Sequence, residues 1–311
     1  LDRFKQLHTF VNVATLGSMS AAARAEGVTA AMVGRRIDAL EARLSVKLLV
    51  RSTRRLSLTS EGSALLEYAQ RILRDLDDSE NLISSGSARP SGHLRITAPA
   101  GFGRRHVAPL LPAYAADHPA VSVTLDLSDR LVDLIEERYD CAIRIGDLND
   151  SSLVGIRLAD NRRVVVAAPS YLARRGTPTT PADLMRHDCL SFGNQANQAR
   201  GWLFTVAGQV QAQRVAGRLE CSDGSVLHEW TLAGCGLAWR SLWEVRHDLA
   251  QGRLRTVLDD YAAPPNGIYA VLPERRHSPA RVRVFVDLLR RTYAAAEYWD
   301  APDQRDAAEI R

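Results

Sequence analysis

Two groups of residues in this chain have types and spacing that could do chemistry. The first is basic and lies near the start, where Arg35 and Arg36 stand side by side in a stretch of helical periodicity and Arg51, Arg54 and Arg55 cluster in a following β-prone stretch. Guanidinium groups placed this way meet phosphate, which gives affinity, and one that reaches a base edge gives sequence discrimination. The second group is spread through the body: Ala98-Pro99-Ala100-Gly101-Phe102, Ser128, Arg144-Ile145-Gly146 and Ser222-Asp223. The residues after Pro99 and after Ser222 read as helix starts whose free N–H groups attract negative charge, and Arg144 adds a cation, so this group points to capture of a small organic anion. Two bland alternatives stay open, in which Arg144 pairs with a local carboxylate and Ser222 caps its own helix. Motifs for covalent or cofactor chemistry are missing. Gly101-Phe102-Gly103 lacks the third glycine of a dinucleotide fingerprint, no phosphate loop or nucleophile elbow is present, and His106, His187 and His228 have no metal-ligand spacing. No cofactor is expected, and an α/β enzyme is an alternative without a motif to carry it.

Charge separates the two groups. Residues 1–60 hold ten Lys/Arg against four Asp/Glu, and residues 61–311 hold 30 against 32. A basic head on a near-neutral body suits a head that meets double-stranded DNA, although a solvated basic face has the same composition. With 46% hydrophobic and 24% charged residues among 311, the chain can bury enough apolar surface for two or three globular units. Cys141, Cys189, Cys221 and Cys235 show neither CxxC spacing nor interleaved histidines, so buried thiols are expected rather than zinc or a disulfide framework. No run is apolar enough to span a membrane, and the opening residues lack a signal-peptide core, so a cytoplasmic protein is expected.

The elements that must hold the basic group follow from periodicity. Phe4, Leu7, Phe10 and Val11 mark a helix ending near Gly17-Ser18. Ser20 starts a second helix with the small-residue run Ala21-Ala22-Ala23, and Gly27 breaks it. Val28 plugs the turn, Thr29 caps, and a third helix runs from Ala30 to Leu44. At 100° per residue Val33, Ile37, Leu40 and Leu44 point inward, while Ala31, Gly34, Arg35, Asp38 and Ala42 point outward with Arg36 on the flank. A recognition helix enters the major groove by its N-terminal half, so Thr29, Ala30, Ala31, Gly34 and Arg35 are the expected contacts, with Arg36 beside them. Gly34 costs about 1 kcal/mol relative to alanine inside a helix, which fits either close approach of a phosphate or a tolerated surface glycine. Residues 46–59 read as a hairpin wing whose Arg51, Arg54 and Arg55 reach phosphates.

The strings Gly17-Ser18-Met19-Ser20-Ala21-Ala22-Ala23, Val28-Thr29, Arg35-Arg36-Ile37-Asp38-Ala39-Leu40-Glu41 and Leu58-Thr59-Ser60-Glu61-Gly62 closely resemble the DNA-binding domain of LysR-type transcriptional regulators. Ala30, Ala31, Gly34 and Glu26 stand where that family usually has Gln, Pro or Ser, Ser, and Leu. Those departures at 30, 31 and 34 fall on the reading face and bear on the operator sequence, not on the fold.

Thr59 can cap a further helix in which Leu65, Ala69, Ile72, Leu76, Ser79 and Ile83 alternate by four and three, a seam for pairing with a second chain, or else the face of one helix packed on its own domain. Ser84 to Gly92 reads as a linker. From His93 the period becomes that of strands. Leu94-Ile96-Ala98, Val121 to Leu127 and Cys141 to Ile145 alternate with helices expected through about Ala116 and over 130–138, as in a doubly wound α/β sheet with ligands at the carboxyl ends of strands. A second lobe with strands at Trp202–Val206 and Leu219–Ser222 and a helix near Asp223 is followed by a return at Ile268–Leu272 and a helix near 280–297. Trp202, Trp230 and Trp239 are candidates for an aromatic wall of the cleft.

This layout resembles the effector domain of the same regulators, similar in fold to periplasmic binding proteins, and the matching strings include Leu127-Ser128-Asp129-Arg130, Ala142-Ile143-Arg144-Ile145-Gly146 and Ser151-Ser152-Leu153-Val154. Trp239-Arg240 replaces the Leu-Pro that the resemblance places there. The expected organisation is a winged helix-turn-helix over 1–59, a dimerising linker helix over 60–88, a two-lobed α/β effector domain over 89–297 (lobe I about 93–166 and 269–297, lobe II about 167–268) and a polar tail over 298–311. The resemblance implies a homodimer or homotetramer on an interrupted palindrome, lobe closure on a small-molecule effector, and an effect on RNA polymerase. A redox signal at Cys221 is the alternative to a ligand.

Overall fold

The computed structural model describes residues 2–51, 56–83, 89–130, 132–146, 153–193, 201–273 and 278–300. They form two compact units, Leu1–Ala88 and Arg89–Arg311. Arg54 and Arg55 of the expected wing tip, the linker residues 84–88, and Ser151 and Ser152 lie outside the described residues.

The first unit runs α1 (Arg3–Leu16), α2 (Met19–Glu26), α3 (Ala30–Leu44), β1 (Leu49–Arg51), β2 (Leu56–Leu58) and α4 (Ser60–Ile83). The starts of α2, α3 and α4 are each capped by the residue before: Ser18 Oγ accepts from Ala21 N at 3.3 Å, Thr29 Oγ1 from Met32 N at 3.2 Å and Thr59 Oγ1 from Gly62 N at 2.9 Å. The cap of α2 is therefore Ser18 and not Ser20, which lies inside the helix. Phe10, Val13, Ala22, Ala23, Val33, Ile37, Leu40 and Leu48 make the core. Two expected core residues are displaced: Phe4 and Leu44 are exposed, and Glu41 is buried on the inward face of α3. β1 and β2 pair antiparallel with Leu49 opposite Leu58.

α4 divides the expected seam. Ala69 is fully buried and Leu65 packs on the same core, so the first half of the helix serves its own unit. The apolar face continues past that core, and there Tyr68 and Ile72 stand 52% and 40% exposed. The side chain of Ile83 lies outside the described residues.

The second unit contains two five-stranded mixed sheets. In the first, β3 (Gly92–Ala98) lies between β4 (Val121–Leu127) and β5 (Cys141–Ile145), all parallel, and β14 (Asn266–Pro273) pairs antiparallel with β5 and with β6 (Leu153–Asn161). The returning strand thus makes the sheet mixed rather than wholly parallel. After β3, residues 100–117 form one helical run whose middle, Gly103–Val107, is a π turn. No helix forms over 130–138 among the described residues; those residues make turns, with Asp133 Oδ1 accepting from Ile135 N and Glu136 N.

The second sheet has the order β11 (Glu220–Cys221), β8 (Cys189–Phe192), β12 (Leu237–Ser241), β7 (Arg163–Ala167), β13 (Arg255–Val257). Its first strand begins at Arg163, a few residues before the expected lobe boundary. Trp202–Val206 is a strand, β9, but it pairs with β10 (Gln209–Gln213) in a separate two-stranded sheet. Helices α5 (Gly224–Leu232) and α6 (Leu242–Ala250) pack in this lobe, and α7 (Ala280–Ala294) covers the first sheet through Val282, Phe285, Val286 and Leu289. The polar tail starts later than expected, because Tyr298 and Trp299, in the short helix Ala296–Asp300, stack against Tyr293 and His106. Aromatic rings with these contacts belong to the lobe's own packing. Among the described residues no helix is long and apolar enough to cross a membrane, and no cluster of His, Cys, Asp and Glu could hold a metal ion.

Candidate functional site

In the first unit α3 presents Ala30, Ala31 and Arg35 to solvent, and Gly34 lies beside them with nothing within 4 Å of where a Cβ would stand. Among the described residues no contact therefore requires glycine at 34. Thr29 spends its hydroxyl on capping. Arg36 departs from expectation. It turns inward, and its Nη1 donates to Glu26 Oε2 at 2.7 Å. Arg51 ends β1, and its side chain lies outside the described residues. Sequence reasoning missed Glu41, whose Oε1 accepts from Leu48 N at 2.9 Å and Leu49 N at 3.2 Å, while Lys47 Nζ donates to Oε2 at 2.7 Å. Burial pushes this carboxyl up, and the bonds from Lys47, Leu48 and Leu49 outweigh it, so its pKa is lowered. The helical period alone gave no sign that this carboxylate is bonded, since its donors come from Lys47, Leu48 and Leu49, beyond the end of α3.

In the second unit a cleft of about 870 Å³ is lined from both sheets. Pro99, Gly101, Phe102, Ser128, Arg144, Ile145 and Gly146 line it from the first lobe, as the rule about strand ends selected. Ala98 does not; it is fully buried in the sheet core. Trp202 and Trp239 line the wall, whereas Trp230 packs in the lobe core and Trp243 takes its place, edge-on to Phe102 with ring centroids 5.3 Å apart.

The two expected helix N-termini are already occupied by the protein's own carboxylates. Asp129 Oδ1 accepts from Ala100 N at 2.9 Å, and the same carboxylate takes a backbone bond from Gly224. Asp223 Oδ1 caps α5, accepting from Ser225 N at 2.7 Å and Val226 N at 3.1 Å. Ser222 is exposed and is not the cap. Asp129 follows Ser128 at the end of β4, so the rule that selected Ser128 also reached it. Its pKa is raised by burial, with Asp223 and Glu244 adding like charge against the bonds from Ala100 and Gly224.

Cationic groups, not helix ends, face the cleft. Arg144 donates to the carbonyls of Arg130 and Val132 at 3.3 and 3.2 Å, and burial lowers its pKa. Arg163, whose strand the sequence patterns did not reveal, donates to Trp239 O at 2.6 Å and lies 4.0 Å over the Trp239 ring. Burial brings it down to about 10, with Arg240 reinforcing and Glu244 opposing the shift. No ion pair of Arg144 or Arg163 occurs among the described residues. Arg240 is 5% exposed and is consumed, its Nη2 bonding Gly224 O at 2.7 Å and Glu244 Oε1 at 2.8 Å. Cys221 Sγ accepts from Asp223 N at 3.4 Å, and burial pushes the Cys189 thiol up to about 12 and that of Cys141 further.

A helix-turn-helix with a hairpin, followed by two mixed sheets around a polar cleft, defines a ligand-responsive DNA-binding architecture. The chain belongs to the LysR family of bacterial transcriptional regulators: residues 4–63 match the bacterial regulatory helix-turn-helix protein, lysR family, and residues 87–294 match the LysR substrate binding domain. It is 38% identical over 294 residues to the HTH-type transcriptional regulator DmlR of Escherichia coli K12, covering 94% of this chain and 95% of that protein. It is 35% identical to PtxR of Pseudomonas aeruginosa, covering 91% of each. Among solved structures it is similar to CrgA of Neisseria meningitidis, with 31% identity, a TM-score of 0.59 and coverage of 94% of this chain and 99% of that one. The full-length virulence activator AphB of Vibrio cholerae matches at 27% identity and a TM-score of 0.58, over 94% of this chain and 100% of that one. This is a family of regulators and not of enzymes, so the enzyme alternative falls.

Proposed function

We propose that this regulator binds an operator through the N-terminal half of α3, with Arg35 reading a base or its phosphate, and answers to a small organic anion held in the cleft of the second unit. The observation that carries the first part is the exposed Ala30, Ala31 and Arg35 with half-buried Gly34 beside them, where no neighbour among the described residues explains the missing side chain at 34. Wing residues Arg51, Arg54 and Arg55 hold backbone phosphates in this reading. Fluorescence anisotropy on a labelled fragment from directly upstream of its own gene, against scrambled competitor, tests it. Arg35→Ala is expected to weaken specific binding about tenfold or more, and undiminished preference for the fragment sinks the assignment.

For the cleft, the supporting observation is the pair Arg144 and Arg163, one from each lobe, bonded to carbonyls and lacking a carboxylate partner among the described residues. An anion that reaches both is bound best when the lobes are closed, and that unequal affinity is what lets it shift the arrangement of the DNA-binding units. The aromatic faces of Trp202 and Trp239 hold the organic part. Dimerisation uses the α4 seam beyond Ala69, where Ile72 is exposed and Leu76 half-buried, and RNA polymerase is the partner that senses the outcome. Ile72→Asp is expected to turn a dimer or tetramer into monomer in sedimentation velocity with the thermal midpoint unchanged; an unaltered assembly assigns the contact elsewhere.

A further inference from the structure

Glu26, the last residue of α2, stands where the family resemblance places leucine, yet it is 7% exposed and its carboxylate is fully engaged. Oε1 accepts from Asn12 Nδ2 at 2.9 Å, and Oε2 accepts from Thr9 Oγ1 at 2.8 Å and from Arg36 Nη1 at 2.7 Å. Arg36 Nη1 also donates to Thr9 Oγ1 at 3.1 Å, and His8 Nδ1 lies 3.9 Å from Oε1. Residues of α1, α2 and α3 thus meet at one buried carboxylate. Leucine there would hold the helices together through contacts that tolerate small rotations. A guanidinium–carboxylate pair inside a bonded cluster tolerates few, and such pairs are kept for specificity at a cost in desolvation rather than for stability. Adjacent helical residues point 100° apart, so the rotation that seats Arg36 on Glu26 also directs Arg35 outward.

We propose that Glu26 and Arg36 are positioning residues for DNA recognition: their buried pair sets the rotation of α3 that presents Arg35 and Ala31, and Arg36 itself touches no phosphate. This rests on the reading of α3 as the recognition helix. The two roles for Arg36 differ in their salt dependence. A lost phosphate contact lowers the slope of log K against log salt by about one, whereas a lost rotational constraint leaves the slope alone and removes discrimination.

The test uses the full chain with Arg35→Ala, Arg36→Lys and the double variant Glu26→Leu/Arg36→Leu, measured by anisotropy across a salt series on the upstream fragment and on scrambled DNA. Circular dichroism and a thermal melt accompany each variant. The double variant is expected to keep its fold and its binding to scrambled DNA, with an unchanged salt slope, and to lose at least tenfold in the ratio of specific to scrambled affinity. Arg36→Lys, which keeps the charge but not the planar guanidinium whose Nη1 donates to both Glu26 and Thr9, is expected to lose part of that ratio, and through the ratio it decides between the two roles if the double variant does not fold. A slope lowered by about one in the double variant, which removes the charge at 36, makes Arg36 a phosphate contact and overturns the proposal. An unchanged ratio makes the pair ordinary packing and overturns it equally. If Arg35→Ala also leaves the ratio unchanged, the reading of α3 has failed and the proposal falls with it.

Discussion

Glu41→Ala is expected to unfold the DNA-binding unit selectively, costing about 3 kcal/mol or more, because it strands the amides of Leu48 and Leu49 inside the fold while removing the group that ties α3 to β1. Glu41 is only 4% exposed, so water cannot replace the carboxylate without opening the junction. The sign of its pH dependence follows from its lowered pKa. Its contribution is complete above the ordinary value of 4.5 and is lost as pH falls through the lower folded value. Glu41→Gln, which can still accept at one oxygen, should lose less and should lack this acid limb. Differential scanning calorimetry of the full chain, with the transition of the first unit followed separately by hydrogen exchange at Leu48 and Leu49, measures both. Equal protection of those amides in wild type and Glu41→Ala would show that the wing is held by its apolar contacts alone.

The second large effect is expected at Arg240. Arg240→Leu removes the cation bonded to Glu244 Oε1 and Gly224 O, and leaves Asp129, Asp223 and Glu244 facing one another beside the cleft. Breaking a buried pair from one side costs about 3 kcal/mol or more at neutral pH. Asp129 already has a pKa raised above its ordinary 3.8, so the folded state holds its proton more tightly than the unfolded chain does. Stability therefore falls as pH rises through the window between 3.8 and that raised value. In Arg240→Leu the like charges of Asp223 and Glu244 still bear on Asp129, and acidification toward its ordinary 3.8 should recover part of the lost thermal midpoint. Adding Asp129→Asn, whose side-chain oxygen can still accept from Ala100, should flatten that recovery. A recovery that persists in the double variant would show that Asp129 is not the group responsible.

Much of this was legible in local patterns. The bounds of α3, the caps at Thr29 and Thr59, the wing and the strands β4 and β5 follow from the 3.6- and 2-residue periods and from side chains that bond their own backbone, which are properties of neighbouring residues. The strand-end rule also reached most of the first-lobe cleft residues. The missed elements share a cause. Arg163–Ala167 is a short apolar run without alternation, because that strand is covered on both faces, with Val164, Val165, Val166 and Ala167 all buried, and such a run gives no period to read.

By itself the sequence determined the family, the order of the units and the exposed strip of α3, since each depends on residue type at fixed spacing. Only the tertiary structure decided where charges go, because a partner is chosen by three-dimensional proximity and desolvation rather than by interval along the chain. It turned Arg36 from the DNA side to Glu26, buried Glu41 under the wing, and filled the two helix ends of the cleft with Asp129 and Asp223. It likewise gave Leu65 and Ala69 to the core of their own unit, leaving Ile72 exposed in a stripe that reads as uniform in sequence.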